Sequence, residues 1–297
     1  MDNDYVSVTE IAGDEVAQEQ VDRLCNRYYW AGQYCAWKDV VEAACGSGQG
    51  LGYLSKIARS LEAGDYSPQI LDIARQHYGD RIDFKQFDAQ NMPFGDKTKD
   101  IIILFEAIYY LSDAEQFVTE CVRVLRPGGK VLIATANKDL YDFNPSPHSY
   151  NYYGVVELND LFARHGFETE FFGDTPVEGI SIRQRILRPI KKLAVMLGLM
   201  PKTASGKKWL KRIVFGNMLK MPAEIGPPIT QISTYLGDKK SPRIARNEEK
   251  EKDGPQITQN RKDEGTLYRG RYVEPDRIYS GEANTSYKVI YCVASLS

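Results

Sequence analysis

The chain of 297 residues reads as an α/β protein built on a doubly wound, mostly parallel sheet. Three observations predict this. Short apolar runs alternate with amphipathic stretches over residues 38–173. One of those runs, Ile101–Phe105, is apolar without interruption, as expected of a strand covered on both faces. A glycine-rich turn, Gly46-Ser-Gly-Gln-Gly, follows the first run directly. Strand, turn and helix in that spacing specify a parallel sheet with crossover helices.

Taken in order, residues 9–37 suit a helix with Val21, Leu24 and Tyr28 on its apolar side. Asp39–Ala44 is a buried strand, the glycine turn closes it, and a helix is expected over Leu51–Arg59. Leu61–Asp65 is the next strand. Ser67-Pro68 opens a helix to about His77, with Gly79 past its end. Strands follow at Ile82–Phe87 and Ile101–Phe105, then a helix over Asp113–Leu125 and a Pro127-Gly-Gly turn into the strand Lys130–Ala136. Glu157–His165 is helical, Phe167–Phe172 is a strand, and Tyr287–Ser295 forms the last one. The chain divides into a helical lid (1–37), a sheet domain (38–173 plus 286–297), a basic helical insertion (174–236), and a polar loop or weak hairpin (237–285).

The net charge of −2 hides an asymmetry. Residues 1–178 carry a net −14, residues 179–223 carry +11 with no acid, and residues 224–297 carry +1. The basic block interleaves its cations with bulky apolar residues, which suits an anionic membrane surface, an acceptor phosphate, or a helical cap with a solvated face. No run of about 18 apolar residues is present, the first ten residues lack a secretory core, and five scattered cysteines include no CxxC pair. A cytoplasmic protein, peripheral at the inner membrane face if the basic block engages lipid, is the expectation.

A strand, glycines and a helix make a cofactor- or anion-binding device. The turn lacks the GxxxxGK[ST] of a nucleoside triphosphate site, and Leu51 stands where a dinucleotide fingerprint wants its third glycine. What is present is Glu42-Ala-Ala-Cys-Gly46-Ser-Gly48-Gln-Gly50, then Asp65 in Gly64-Asp-Tyr-Ser-Pro and Asp88 in Asp88-Ala-Gln-Asn-Met-Pro-Phe. Leu104-Phe-Glu-Ala-Ile-Tyr-Tyr-Leu and Arg123-Val-Leu-Arg-Pro-Gly-Gly-Lys follow. In that order these blocks resemble the class I S-adenosylmethionine-dependent methyltransferases, with Ala44 where the family usually has its first glycine. The resemblance implies a Rossmann-like sheet with an antiparallel last strand, and S-adenosyl-L-methionine as cofactor. It also implies cofactor contacts at Glu42, Ala44, Gly46, Ser47, Gly48, Asp65, Tyr66, Asp88, Ala89, Phe105 and Glu106. Asp65 would hold the ribose hydroxyls and Asp88 would meet the adenine amino group.

For the reaction itself, His148 lies in the loop after the Lys130–Ala136 strand, at the sheet edge where ligands bind, and is the candidate base. Tyr110 is the second catalytic candidate. His77 and His165 sit at helix ends beside glycines, where imidazolium is stabilised without chemistry. No metal set is expected. The Asn/Asp-Pro-Pro-Tyr/Phe turn and the Pro-Cys nucleophile of nucleic-acid methylating enzymes are both missing, and no nucleic-acid module is present. The expected acceptor is therefore a small molecule, a glycan or a lipid-linked compound. More loosely, the whole chain resembles bacterial methyltransferases of surface-polysaccharide assembly. A non-catalytic cofactor-binding protein acting through its basic surface is the alternative.

Overall fold

The computed structural model describes residues 9–146, 148–177, 218–229 and 267–297. A short strand β1 (Glu15–Ala17) leads into helix α1 (Gln18–Cys35). Then come β2 (Asp39–Ala43), α2 (Leu51–Leu54), β3 (Ser60–Asp65), α3 (Pro68–Tyr78), β4 (Asp83–Gln86) and β5 (Lys99–Phe105). The second half contains α4 (Ala114–Val124), β6 (Leu125–Ala136), α5 (Val155–Ala163), β7 (Phe167–Pro176), β8 (Met218–Lys220), β9 (Asp276–Ile278) and β10 (Tyr287–Leu296).

Eight strands form one sheet in the order β4-β3-β2-β5-β6-β10-β7-β9. From β4 to β6 all neighbours are parallel. The last strand, β10, inserts antiparallel between β6 and β7, and β9 adds an antiparallel edge beyond β7. This is the doubly wound sheet with an antiparallel last strand that the sequence predicts.

Successive residues of the central strands point to opposite faces, and both faces are covered. On one, Val40, Ile101, Ile103, Leu132 and Tyr291 pack against Leu24, Tyr28 and Trp30 of α1. On the other, Val41, Ile102, Leu104, Ile133 and Cys292 meet Phe117 and Val118 of α4 and Leu158 and Phe162 of α5. Burial on two sides is why these strands are apolar runs and not alternating ones. The aromatic residues of α1 are part of that core, with Trp30 stacked on Tyr291 at 4.7 Å between centroids.

Helix starts follow local chemistry. Ser67 caps α3 by accepting from the Ile70 N–H, with Pro68 at the first helical position, and Asp113 caps α4 through the Gln116 N–H. Several differences from the sequence expectation stand out, the first being that the helix expected over residues 9–37 begins only at Gln18, behind β1. Helix α2 ends at Leu54, five residues short of Arg59, and the chain turns there to deliver β3. β6 begins at Leu125, ahead of the Pro127-Gly-Gly turn expected to precede it. β9 lies within the stretch expected as a polar loop or weak hairpin, and it pairs with β7 and not with a neighbour in that stretch, because edge pairing needs backbone groups and few apolar side chains. The greater part of the expected basic insertion, residues 178–217 and 230–236, lies outside the described residues, as do residues 237–266 of the polar stretch.

What returns from the basic block is β8, which pairs antiparallel with β1 in a separate two-stranded ladder. Among the described residues no helix is long and apolar enough to cross a membrane.

Candidate functional site

The carboxyl ends of β2, β3, β4 and β5 converge on a cleft of about 220 Å³. The topology places it there: the strand order reverses around β2, and adjacent loops diverge at that switch point. Asp65, the last residue of β3, is buried and lines the cleft. Its Oδ2 accepts from the Gly46 N–H and its Oδ1 from the Ser67 N–H, each at 2.9 Å. Burial pushes its carboxyl above the usual range while the N–H groups of Ser67, Gly46 and Tyr66 oppose that shift. Two backbone bonds leave lone pairs on both oxygens, enough for a vicinal diol.

The glycine turn is held from several sides. Gly48 has φ +82°, and a Cβ there would sit 3.0 Å from both Leu51 and Tyr78. Its carbonyl accepts from the Tyr78 hydroxyl at 2.6 Å, and that same hydroxyl accepts from the Gly52 N–H at 3.0 Å. Gly50 is required for a different reason: a Cβ would lie 2.2 Å from the Tyr28 ring. The Gln49 side chain donates to the Glu10 carbonyl at 2.7 Å, while the Gln49 backbone carbonyl accepts from the Ile225 N–H at 2.9 Å. Two stretches remote in sequence, one before α1 and one after β8, thus grip one residue of the turn.

Two non-glycine residues at the cleft occupy the left-handed region: Ala44 after β2 (φ +55°) and Glu106 after β5 (φ +51°). Such strain collects where a backbone is bent to present a group to a ligand. Glu106 Oε2 accepts from the Tyr109 hydroxyl at 3.1 Å, and its Oε1 lies 3.7 Å from Nη1 of Arg27 on α1. Behind the turn, Glu42 is fully buried. It accepts from the Tyr28 hydroxyl at 2.5 Å through Oε1, whereas Oε2 has no partner among the described residues. Burial pushes the Glu42 carboxyl up to about 8.

Of the residues singled out in the sequence, Ala44, Gly46, Asp65, Tyr66, Asp88, Ala89, Phe105, Glu106 and Tyr110 line the cleft. Glu42, Ser47 and Gly48 support it from behind. His148 sits at an exposed turn with φ +66° and is not part of the lining. Cys45 is buried, and that burial pushes its thiol well above the usual range. Asp88 takes the backbone and side-chain N–H groups of Gln90. Gln90 in turn accepts from Ser112 and from the Asp113 N–H, joining the loops after β4 and β5.

Sequence reasoning missed Thr9, Ile70, Phe87, Gln90, Ser112 and Tyr150, all of which line the cleft. Phe87 and Gln90 flank Asp88 and were within reach of that motif. Thr9 arrives from outside the sheet domain, and no local pattern announces it. Tyr150 is clamped by its N–H to the Tyr109 carbonyl at 2.8 Å. The Tyr110 hydroxyl pairs with Ser146 Oγ at 2.7 Å, and Tyr109 stacks on Tyr152 at 4.3 Å. The loop after β6 and the turn after β5 therefore form one tyrosine-rich wall. Among the described residues no cluster of His, Cys, Asp and Glu could hold a metal ion.

A family model described as a methyltransferase domain matches residues 41–133, from β2 through β6. A protein of Mycolicibacterium smegmatis named "Probable S-adenosylmethionine-dependent methyltransferase" is 31% identical over 183 residues, 57% of this chain and 69% of that protein. The chain belongs to the class I S-adenosylmethionine-dependent methyltransferases, and S-adenosyl-L-methionine is the cofactor of that family. A phthiotriol/phenolphthiotriol dimycocerosates methyltransferase of Mycobacterium ulcerans is 38% identical over 101 residues, 32% of this chain and 36% of that protein. A solved S-adenosylmethionine-dependent methyltransferase from Aquifex aeolicus shares 20% identity over 51% of this chain and 88% of that one, at a TM-score of 0.43.

Proposed function

We propose that this methyltransferase O-methylates an uncharged hydroxyl of a glycan, lipid-linked or other small-molecule acceptor. The observation that carries the reading is the charge of the cleft. Its charged lining residues, Asp65, Asp88 and Glu106, are all acids, and no base lines it among the described residues. A cleft of that sign attracts a sulfonium cation and repels a phosphate or carboxylate at the reacting end. The lipid-modifying name of the Mycobacterium ulcerans relative supports a lipid-linked acceptor, over the third of that protein that matches.

The residues present fit the cofactor. Asp65 would hold the ribose hydroxyls and Asp88 the adenine edge, with Ile70, Phe87 and Ala89 lining the same cleft as apolar wall. Gly46 and Gly48 allow the backbone to approach, and behind the turn Glu42 keeps one oxygen without a partner among the described residues. When bound, the cofactor supplies an activated methyl group on a sulfonium sulfur. The protein's part is alignment and exclusion of water. Phe105, Ala107 and Leu111 add apolar lining to the cleft. Tyr110, with its hydroxyl tied to Ser146, orients the acceptor hydroxyl and passes its proton through that hydroxyl pair to water.

The test is transfer from methyl-labelled cofactor to a fractionated cell extract. Label in a neutral, hydroxylated glycan or glycolipid fraction is the expected result. Label confined to anionic acceptors would overturn the reading, and cofactor binding with no transfer would make the chain a non-catalytic binding module.

A further inference from the structure

Gln90 lines the cleft and bridges two of its loops. Its Oε1 accepts from the Ser112 hydroxyl at 3.0 Å and from the Asp113 N–H at 2.6 Å, just ahead of α4. Its Nε2 donates to both carboxylate oxygens of Asp88, at 2.9 Å and 3.0 Å. The partners fix which end of the amide is which, because a backbone N–H only donates and a carboxylate only accepts. A reversed amide would set donor against donor at Asp113 and acceptor against acceptor at Asp88. The side chain is therefore anchored on backbone at one end and aims its donors at Asp88 with the other.

The lone pairs of Asp88 can then be counted. A carboxylate has about two acceptor sites on each oxygen. Oδ1 takes the Gln90 backbone N–H at 2.9 Å as well as the Gln90 amide, which fills it. Oδ2 takes the amide alone and accepts no other hydrogen bond among the described residues, so one site stays open. We infer that Gln90 is a positioning residue for adenine recognition: it occupies Asp88 Oδ1 and leaves Oδ2 as the acceptor for the adenine amino group. The inference rests on the placement of Asp88 at the adenine edge proposed above, and it adds which oxygen is offered and what sets it. A site whose acceptor is fixed in advance separates an amino group from an oxygen at the same position, because the wrong group leaves that acceptor unpaired.

The experiment compares two nucleosides by calorimetry: S-adenosylhomocysteine, which carries the 6-amino group, and S-inosylhomocysteine, which carries an oxygen in its place. Wild type is expected to bind the first about 10-fold more tightly or better, as for a hydrogen bond to a charged group. Gln90→Glu keeps an acceptor oxygen toward Ser112 and Asp113 but loses the donor toward Asp88, whereas Gln90→Met loses both ends. In each variant the preference should fall to within about threefold of unity, through weaker binding of S-adenosylhomocysteine. Gln90→Glu preserves the anchor at α4, so it decides the matter if Gln90→Met does not fold. Weakening of both nucleosides by the same factor would make Gln90 a spacer between loops, and an unchanged preference would show that Asp88 needs no help; either overturns the proposal. A wild-type protein that binds the two equally removes Asp88 from the adenine edge and the proposal with it, whereas a failure confined to the variants leaves that placement standing.

Discussion

Among single residues, Glu42 makes the sharpest prediction. Its carboxyl is raised to about 8 by burial against an ordinary value of 4.5, so between those values the folded state holds a proton that the unfolded chain releases. Stability from this group is therefore lost as pH rises from about 4.5 to about 8, and the loss is complete above that. Glu42→Gln, which cannot ionise, should melt higher relative to wild type at pH 9 than at pH 5; an equal difference at both would show that Glu42 titrates normally. The tyrosine wall gives a second contrast. Tyr110→Phe should lower turnover about 100-fold with cofactor affinity unchanged, while His148→Ala, at an exposed turn off the cleft, should stay within about threefold of wild type. Comparable losses in the two variants would return the proton to His148.

At the scale of elements, α3 supports the site through its last residue. Tyr78 both donates to Gly48 and accepts from Gly52, so one hydroxyl pins the glycine turn to the start of α2. Tyr78→Phe strands two buried backbone groups and should cost about 1–3 kcal/mol of stability by denaturant titration. No change would mean that water replaces the hydroxyl. This support was not legible in the sequence. The helix was expected to end at about His77, which left Tyr78 unremarked, and nothing local relates it to Gly48. By contrast, β2 and β5 were legible because two-sided burial writes itself as apolar runs, and Asp65 and Asp88 because one closes and the other directly follows a strand expected from the sequence. The three-residue strands β1 and β8 escaped because they are short, and their partners lie some 200 residues apart. Arg27 was hidden inside a helix whose pattern reports only its apolar stripe.

The whole molecule is polarised, with a net −14 before residue 179 and +11 over residues 179–223. Most of the basic block lies outside the described residues, and its charge alone supports a prediction. Replacing Lys207, Lys208, Lys211 and Arg212 with Gln should abolish sedimentation with acidic-lipid vesicles and leave cofactor binding intact. In wild type that sedimentation should weaken as salt shortens the electrostatic reach to about 8 Å near physiological ionic strength. A wild-type protein that ignores acidic vesicles would instead assign the cations to an acceptor or to a solvated cap.

The position of β10 has a consequence for how the chain is made. It is the last strand in sequence, yet it lies inside the sheet and is hydrogen-bonded along its length to β6 on one side and β7 on the other. Until those ten residues emerge from the ribosome, β6 and β7 each show an open ladder to any strand nearby. Pairing of β10 thus follows β6 by about 150 residues and β7 by about 110 or more, and such closures are slow. A chain ending before Tyr287 should accumulate as an aggregate and not as a weakened enzyme. Supplying the missing strand as a separate peptide during refolding should recover part of the monomer; failure to do so, with the truncated chain already monomeric, would show that the other seven strands of the sheet close without it.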